Sequence, residues 1–349
     1  MAITTQSNSG KIARPVRLWL TVVAGLIVLM VLVGGATRLT GSGLSITEWK
    51  PVMGAVPPLS DAAWQDAFDK YKLIPEYTEV NEGMSLAEFK IIFWWEWAHR
   101  FLGRIIGVVF LLPFLWFLAR GHIPPRLRWP LAGLFVLGAL QGALGWYMVK
   151  SGLAGRIDVS QYRLAAHLGL AVLIYTSIVW IVLREGEGNR PAAAGSAGLR
   201  ASSLGIVAVV FLQIVAGAFV AGMHAGRSHN TWPLMDEKFI PDGLFVMSPA
   251  LSNFFENALT VQFNHRMLAY GIVAWILIHA YVATRHGPAK QSAFWLSVTI
   301  MGQVALGIWT LLTVVPLPLG LAHQAGALVV LTVALIHAAA LRRGRFPPD

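Results

Sequence analysis

The chain has 349 residues, of which 56% are hydrophobic and only 13% are charged. A soluble domain would carry about twice that charged fraction, so the composition indicates an integral membrane protein with several spans. The formal net charge of +10 does not require a nucleic-acid partner, because cytoplasmic loops of membrane proteins are rich in lysine and arginine. The absence of cysteine excludes disulfides, thiolate metal ligands and cysteine nucleophiles.

Eight apolar stretches are long enough to cross a bilayer. They cover residues 18–37, 91–119, 129–149, 162–183, 201–222, 258–284, 292–314 and 318–341. If the chain crosses the membrane at each span, one side carries both termini and the connections 120–128, 184–200 and 285–291. That side holds more than half of the lysines and arginines but only three of the acidic residues. The positive-inside rule therefore predicts that both termini lie in the cytoplasm.

The segment 38–90 is the largest predicted outward loop. It opens with the glycine-rich run RLTGSGLS at 38–45. Ser60 then caps a short predicted helix that carries Trp64, Phe68 and Tyr71 on one face. That face either lies on the outer membrane surface or packs on the loop itself. The run SLAE at 85–88 predicts a capping box at the start of the second span.

Motifs recur in the same order in the two halves of the chain. His99-Arg100 matches His265-Arg266, QGALG at 141–145 matches QVALG at 303–307, Ala166-His167 matches Ala322-His323, and Gly34-Gly35-Ala36 is echoed more weakly by Gly217-Ala218. The matches predict a duplicated unit of four spans, and an even number of spans gives both units the same orientation. We therefore predict an all-α membrane protein of eight transmembrane helices in two pseudo-symmetric four-helix bundles.

Four histidines share one predicted position, in the first turns of the spans that run from outside to inside. They are His99, His167, His265 and His323. Histidines on facing helices of a bundle are typical axial ligands of haem iron. We predict two bis-histidine sites, His99 with His167 and His265 with His323. Zinc or copper is the competing interpretation, although the sequence has no compact metal-binding motif.

Arginines accompany these histidines on the predicted outer side. Arg100 and Arg266 directly follow their histidines, Arg104 lies one turn further on, and Arg38 ends the first span. A guanidinium binds a carboxylate through two parallel hydrogen bonds, so we predict that these arginines hold haem propionates. For Arg38 and Arg104 the alternative is that the side chains extend to the lipid headgroups.

The repeat breaks at one position beside the first histidine pair. Glu96 precedes His99 by three residues and shares its helix face, whereas the residue that precedes His265 by three is Gln262. A carboxyl group there can handle protons or stabilise positive charge near a substrate. We therefore predict that Glu96 is catalytic and that the first half is the reaction site. The alternative is a structural ion pair between Glu96 and Arg100.

A further histidine pair occurs only in the second half. His279 and His337 each follow a predicted ligand by fourteen residues, which places them about 21 Å deeper on much the same face. This spacing would allow a further haem, as in dihaem cytochromes. Buried histidines that are hydrogen-bonded to the backbone are the other interpretation. The first half has Pro113 and Ile181 at the equivalent positions.

These residues resemble the haem A synthase family over nearly the whole chain. The resemblance rests on GGATRLTGSGLS at 34–45, on EWAHR at 96–100 with Gly103-Arg104, and on the histidines of spans four, six and eight. The pattern is more similar to the mitochondrial and alphaproteobacterial branch than to the Gram-positive one. The Gram-positive branch carries a cysteine pair in its first outward loop, which this chain lacks.

The resemblance implies an oxidoreductase that converts the C8 methyl of haem O to a formyl group, giving haem A for cytochrome oxidase. It implies haem b at His265 and His323, haem O as substrate at His99 and His167, and Glu96 for turnover. From the arguments above we add Arg266 beside haem b, and Arg100, Arg38 and Arg104 beside haem O. Two other function classes stay open: a membrane b-type cytochrome that only passes electrons, and a transporter built on parallel repeats.

The predicted organisation follows from the spans and the repeat. It comprises a cytoplasmic N-terminus 1–17, a first half 18–183 with the outward loop 38–90, a cytoplasmic linker 184–200, a second half 201–341 and a cytoplasmic tail 342–349. The expected location is a bacterial inner membrane, with the haem sites toward the periplasm. The expected partners are lipid, haem O, haem A and an unidentified electron donor. Haem O synthase, cytochrome oxidase assembly factors and a second copy of the chain are further candidates, and no nucleic acid is expected.

Overall fold

The protein is helical in the residues that the structure, a computed structural model, describes: 12–50, 53–185, 195–286 and 289–342. The α-helices are, in chain order, α1 (Arg14–Leu39), α2 (Asp61–Tyr71), α3 (Pro75–Glu79), α4 (Leu86–Ala119), α5 (Pro125–Lys150), α6 (Gln161–Glu185), α7 (Ala197–Gly222), α8 (Asn253–Glu256), α9 (Ala258–His286), α10 (Lys290–Leu312) and α11 (Leu317–Leu341). Eight of these helices are long and apolar enough to cross a membrane, which confirms the predicted all-α class and the eight spans.

The predicted soluble segments are only partly described. Residues 1–11 of the N-terminus, 186–194 of the linker and 343–349 of the tail lie outside the described residues. At the borders of the linker, α6 continues to Glu185 and α7 begins after the capping residue Ser196, so the helices extend beyond the predicted spans. The cytoplasmic location of the termini and the division into two bundles stay predictions.

Helix α4 is much longer than a bilayer requires. Its 34 residues correspond to about 51 Å, against a hydrocarbon core of about 30 Å. It begins at the predicted capping box, in which Ser85 Oγ accepts a hydrogen bond from the backbone N–H of Glu88 and the Glu88 side chain accepts one from the backbone N–H of Ser85. The N-terminal turns of α4 therefore exceed the length that a bilayer requires and are available to support further structure outside it.

Helices α2 and α3 form a cap on the outer end of α4. Trp64, Phe68 and Tyr71 are buried against Phe89 and Phe93 of α4, with ring centroids 4.9 Å apart for Trp64 and Phe93 and 5.0 Å apart for Phe68 and Phe89. Burying an aromatic side chain of this size contributes about 1.5–3 kcal/mol. Of the two interpretations of this helix, the structure shows the one in which it packs on its own protein.

The spanning helices pack through a shared apolar core. Helix α1 contacts α4 and α6, while α7 contacts α9 and α11. Contacts of α6 with α7, and of α11 with α1 and α6, join these groups. Polar contacts reinforce the junction: Tyr175 of α6 shares a 2.6 Å hydrogen bond with Thr332 of α11, and Gln324 Nε2 donates to the carbonyl of Val31 at 2.9 Å. The histidine-bearing helices are thereby fixed relative to one another.

Candidate functional site

Each of the four predicted ligand histidines lies against a glycine of a neighbouring helix. A Cβ atom added to the glycine would lie 3.0 Å from the His99 ring at Gly34, 3.0 Å from the His167 ring at Gly145, 3.2 Å from the His265 ring at Gly217 and 2.8 Å from the His323 ring at Gly307. Even an alanine methyl would crowd these rings. The glycines therefore form a cradle that lets each imidazole rest directly on a helix backbone.

A glutamine accompanies three of the four cradles, four residues before the glycine and so on the same helix face. The Nε2 atom of Gln141 donates to the carbonyl of His167 at 2.8 Å, that of Gln213 to the carbonyl of His265 at 2.9 Å, and that of Gln303 to the carbonyl of His323 at 2.8 Å. The cradle of His99 has Met30 at the corresponding position. The spacing Gln-x-x-x-Gly is visible in the sequence at all three places, but Gln213 was missed because its helix matches α1 only weakly.

The cradles leave polar atoms without partners. Among the described residues, Oε1 of Gln141, Gln213 and Gln303 and Nδ1 of His167 are buried and have no hydrogen-bond partner. Buried polar atoms of this kind call for a partner outside the chain or a change in side-chain state. An imidazole that binds a metal through one nitrogen commonly donates from the other. The Nε2 atoms of Gln213 and Gln303 lie 3.2 and 3.1 Å from Nδ1 of His265 and His323, so these amides would have to turn over for their oxygens to accept that hydrogen bond. The cradles therefore fit histidines that ligate the iron of a haem.

The structure brings the histidines together in pairs. The helices of His99 and His167, α4 and α6, both contact α1 and α5, and the helices of His265 and His323, α9 and α11, both contact α7 and α10. These are the two pairs named from the sequence. In each pair the rings come from different helices and rest on different cradles, so a planar group could be held between two helix surfaces.

Glu96 is buried and fully engaged. Its Oε2 accepts hydrogen bonds from Ser45 Oγ at 2.8 Å and from the backbone N–H of Ile46 at 2.7 Å. Its Oε1 accepts from Nε and Nη2 of Arg100 at 3.0 and 2.5 Å, so the proposed ion pair exists. Arg100 also donates to the carbonyls of Ile46 and Glu48 at 2.7 and 3.1 Å. Together the two side chains hold the segment 45–48 against α4.

The second half repeats this anchor with the opposite hydrogen-bond polarity. The amide of Gln262 donates to the carbonyls of Ala225 and Ser228 at 2.9 and 2.7 Å. Arg266 donates to the carbonyls of His229 and Thr231 at 2.6 and 2.9 Å. A carboxylate that accepts from the loop in the first half is thus replaced by an amide that donates to the loop in the second. The anchoring is shared, and the negative charge is not.

Arg38 joins the outer ends of several helices. Its Nη1 pairs with Asp158 at 3.1 Å, and its Nη2 lies 2.7 Å from His224 Nε2, which in turn lies 2.8 Å from the second oxygen of Asp158. Burial works to raise the pKa of Asp158, but the hydrogen bond from His224 and the charge of Arg38 hold it below its usual value. Arg104 donates to the carbonyl of Lys50 at 3.1 Å. Asp158 and His224 were not predicted, since the sequence does not indicate this contact.

A second unpredicted acid lies within the cap. Glu76 is buried, and the Tyr71 hydroxyl donates to its Oε2 at 3.2 Å while itself accepting from Asn81 at 2.7 Å. Burial raises the pKa of Glu76 to about 8, and it also raises the pKa of Tyr71. Glu76 is therefore mainly protonated at neutral pH.

His279 and His337 bond to each other. Their Nε2 atoms lie 2.8 Å apart, and their Nδ1 atoms each lie 2.8 Å from a serine hydroxyl, Ser202 for His279 and Ser292 for His337. A metal held in line between two imidazoles would keep the nitrogens about 4 Å apart. All four ring nitrogens therefore serve hydrogen bonds within the protein, and their partners are side chains rather than the backbone groups named in the second interpretation.

The chain is similar to known proteins over nearly its whole length. The sequence profile of the COX15-CtaA family, described as cytochrome oxidase assembly protein, matches residues 17–335. A protein of Parvibaculum lavamentivorans named heme A synthase is 55% identical over 321 residues, covering 91% of this chain and 92% of that protein. Proteins with the same name are 55% identical in Rhodopseudomonas palustris over 93% of this chain and 88% of theirs, and 55% identical in Bradyrhizobium diazoefficiens over 96% and 93%.

Proposed function

The chain belongs to the COX15-CtaA family of cytochrome oxidase assembly proteins, and we propose that it is a haem A synthase that oxidises the C8 methyl of haem O to a formyl group. The observation that carries this proposal is the 55% identity to proteins named heme A synthase over more than nine-tenths of the chain. Two cradled histidine pairs, with a buried carboxylate beside only one of them, fit such a reaction.

The second half is proposed to hold haem b and the first half the substrate. His265 and His323 would ligate the haem b iron beside Arg266, and His99 and His167 would receive haem O. A bound haem b supplies one-electron transfer. The glycine cradles fix the orientation of each imidazole. Turning over the side-chain amides of Gln213 and Gln303, whose Nε2 atoms lie beside the ring nitrogens, would let their Oε1 atoms accept a hydrogen bond from the ring nitrogen that is not bound to iron.

Glu96 is proposed to act through its charge. Conversion of the methyl group to a formyl group is a four-electron oxidation that adds one oxygen atom, so an external oxidant must take up the electrons. It passes through an aldehyde hydrate that loses water, and the reacting carbon becomes electron-poor on the way. Glu96 accepts four hydrogen bonds, two of them from the guanidinium of Arg100. Because both oxygens are occupied, a fixed negative charge near His99 is a simpler role for Glu96 than proton abstraction.

The protein is a multi-pass membrane protein, and we propose a bacterial inner membrane with the histidine pairs toward the periplasm. The electron donor, haem O synthase, other assembly factors and a second copy of the chain remain proposed partners. The positive-inside rule supports this orientation. The family membership supports a place in cytochrome oxidase assembly.

Pigment analysis tests the function. The chain would be expressed in a host that makes haem O but lacks its own haem A synthase, purified, and analysed by pyridine haemochrome spectra and chromatography. We expect haem b together with haem O or haem A, and haem A in the membranes. Two haem b groups per chain with no haem O or haem A would instead support the electron-transfer cytochrome. Alanine variants of the four histidines would assign each pigment to a pair.

A further inference from the structure

A basic cavity lies between the end of α5 and the start of α6. It has a volume of about 420 Å³ and is lined by Tyr147, Lys150, Ser151, Ala154, Arg156, Ser160 and Arg163. We call Lys150, Arg156 and Arg163 the cationic triad. No acidic residue lines the cavity, so its walls present positive charge and hydroxyl groups only. Such a surface suits a carboxylate or phosphate group.

The triad has no acidic partner within the part of the chain that the structure describes. Arg163 donates to the carbonyl of Tyr147 and stacks over the ring of that residue, 3.6 Å from its centroid, and Arg156 donates to Gln161 at 3.2 Å. None of the three forms an ion pair there. The nearby Asp158 is shared by Arg38 and His224, and the charge of Arg156 also acts on it. Lys150 and Arg156 are exposed and Arg163 is half-buried, so water screens part of their charge, and an anion in the cavity would still be attracted by three cations.

The arginines expected to hold propionates already form hydrogen bonds or ion pairs within the protein. Arg100 pairs with Glu96 and binds two loop carbonyls, Arg266 binds two loop carbonyls, and Arg38 pairs with Asp158. Most of their donors anchor loops, although Nε of Arg38 and Nε of Arg266 are buried without a hydrogen-bond partner among the described residues. Like Arg266, the triad forms no ion pair in the described residues, and unlike Arg266 it lines a cavity.

The cavity is next to the cradle of His167. Arg163 precedes His167 by four residues on α6, one turn away on the same face, or about 6 Å along the axis. Tyr147 and Lys150 follow Gly145, on which the His167 ring rests, by two and five residues on α5, so they lie within two turns of it but on other faces of that helix. A group held at His167 could therefore extend an anionic arm into the cavity.

The second half has no counterpart to this cavity in its sequence. The connection from α10 to α11 is the uncharged run Thr313-Val314-Val315-Pro316, whereas the connection from α5 to α6 spans residues 151–160. The basic cavity thus belongs to the half that contains Glu96. A feature confined to that half suits the molecule that must enter and leave, rather than a permanently bound haem.

We propose that the basic cavity binds a propionate carboxylate of the tetrapyrrole substrate at the His99–His167 pair, through Lys150, Arg156 and Arg163. The proposal rests on the proposed function, because it takes haem O as the substrate. The triad fixes the rotation of the macrocycle within its plane, and so helps to decide which ring edge, and which methyl group, lies toward Glu96.

Binding titrations test the role of the triad. Protein from a host without haem O would be titrated in detergent, by absorbance, with haem O and with its dimethyl ester, which cannot present a carboxylate. For the wild type we expect the ester to bind about ten- to a hundredfold more weakly, the usual range for losing charge-assisted hydrogen bonds. In the triple variant Lys150→Gln, Arg156→Gln, Arg163→Gln, acid and ester should bind alike.

Two control proteins separate the triad from general charge and from folding. The variant Lys72→Gln, Lys90→Gln, Lys238→Gln removes the same number of cations from the predicted outer side and should keep the wild-type preference for the acid. The charge-conserving variant Arg156→Lys, Arg163→Lys should keep a clear part of it. If the triple triad variant prefers the acid as strongly as the wild type does, the proposal is wrong.

The same titrations distinguish other outcomes. Phosphatidylglycerol added as vesicles should not abolish the acid preference of the wild type. If that lipid co-purifies with the wild type but not with the triad variant, while the acid preference is equal in both, the cavity is a lipid headgroup site and the proposal falls. A wild type that makes haem A but shows no triad effect refutes this inference alone. A wild type that neither binds haem O nor makes haem A refutes the proposed function.

Discussion

The two halves of the chain share an anchor and differ in its charge. Arg100 and Arg266 each tie an outer loop to a histidine-bearing helix through two backbone carbonyls. The neighbouring residue is a carboxylate in one half and an amide in the other, and both are buried. The duplicated part thus holds a loop and a histidine in place, and the part that has diverged is one negative charge, together with the cap and the basic cavity of the first half.

The largest expected effect is a loss of bound haem when the glycine beneath a histidine ring is replaced by alanine. In Gly307→Ala the new methyl would lie 2.8 Å from the His323 ring and in Gly145→Ala 3.0 Å from the His167 ring, so each ring must move. We expect Gly307→Ala to lose most of its haem b and Gly145→Ala to lose most of its bound haem O while retaining haem b. Haem content per chain, from pyridine haemochrome spectra, measures both.

Each cradle has a control on its own helix. At Gly302 and Gly142 an added Cβ meets nothing within 4 Å, so Gly302→Ala and Gly142→Ala should retain wild-type haem content. If these controls lost as much haem as the cradle variants, helix sensitivity rather than ring contact would explain the result. If Gly145→Ala lost haem b instead, the assignment of the halves would be reversed.

The charge difference between the halves predicts the next effect. In Glu96→Gln an amide would face the N–H of Ile46, so one hydrogen bond is lost and the negative charge is removed. We expect haem A formation to fall about a hundredfold or more, as when a preorganised electrostatic group is removed, with haem b retained. Haem A per chain in isolated membranes measures the first quantity.

The reciprocal exchange tests whether the charge or the anchor matters. Gln262→Glu places a carboxylate next to the carbonyls of Ala225 and Ser228. An ionised carboxylate has no hydrogen to donate, so both hydrogen bonds to these carbonyls are lost. We expect lower thermal stability and no second reaction site. Wild-type haem A formation in Glu96→Gln would contradict the proposed role of Glu96.

The buried pair His279–His337 predicts a smaller effect, on stability alone. His337→Ala removes a partner from both His279 and Ser292 and leaves a cavity, which should cost about 2–4 kcal/mol. Haem b per chain should not change. A loss of one haem per chain would show that this pair is a haem site after all.

Local patterns predicted the helices well and the long-range contacts poorly. Hydropathy and capping residues indicate eight spans and the start of α4, because a span and a cap are each determined by adjacent residues. Arg38 meets Asp158 and His224 across 120 and 186 residues, so no local pattern indicates that contact. The loop-anchoring role of Arg100 and Arg266 was missed for a related reason: their partners are backbone carbonyls, which any sequence provides.

The smallest expected effect is a pH dependence of hydrogen exchange in the cap of the first half. Glu76 accepts a hydrogen bond from Tyr71, and the charges of Asp158, Glu96 and Arg38 act on it. Burial raises its pKa from about 4.5 to about 8. A carboxyl whose pKa is raised on folding stabilises the folded state fully below about pH 4.5, and this stabilisation is lost as the pH rises through 8.

Hydrogen exchange in residues 61–85 should therefore be faster at pH 9 than at pH 6, after correction for the intrinsic rate, with a smaller change in residues 225–257. Glu76→Gln should remove most of that pH dependence, because it keeps the shape of the neutral carboxyl without its titration. An unchanged pH dependence in Glu76→Gln would assign the effect to another group of the cap.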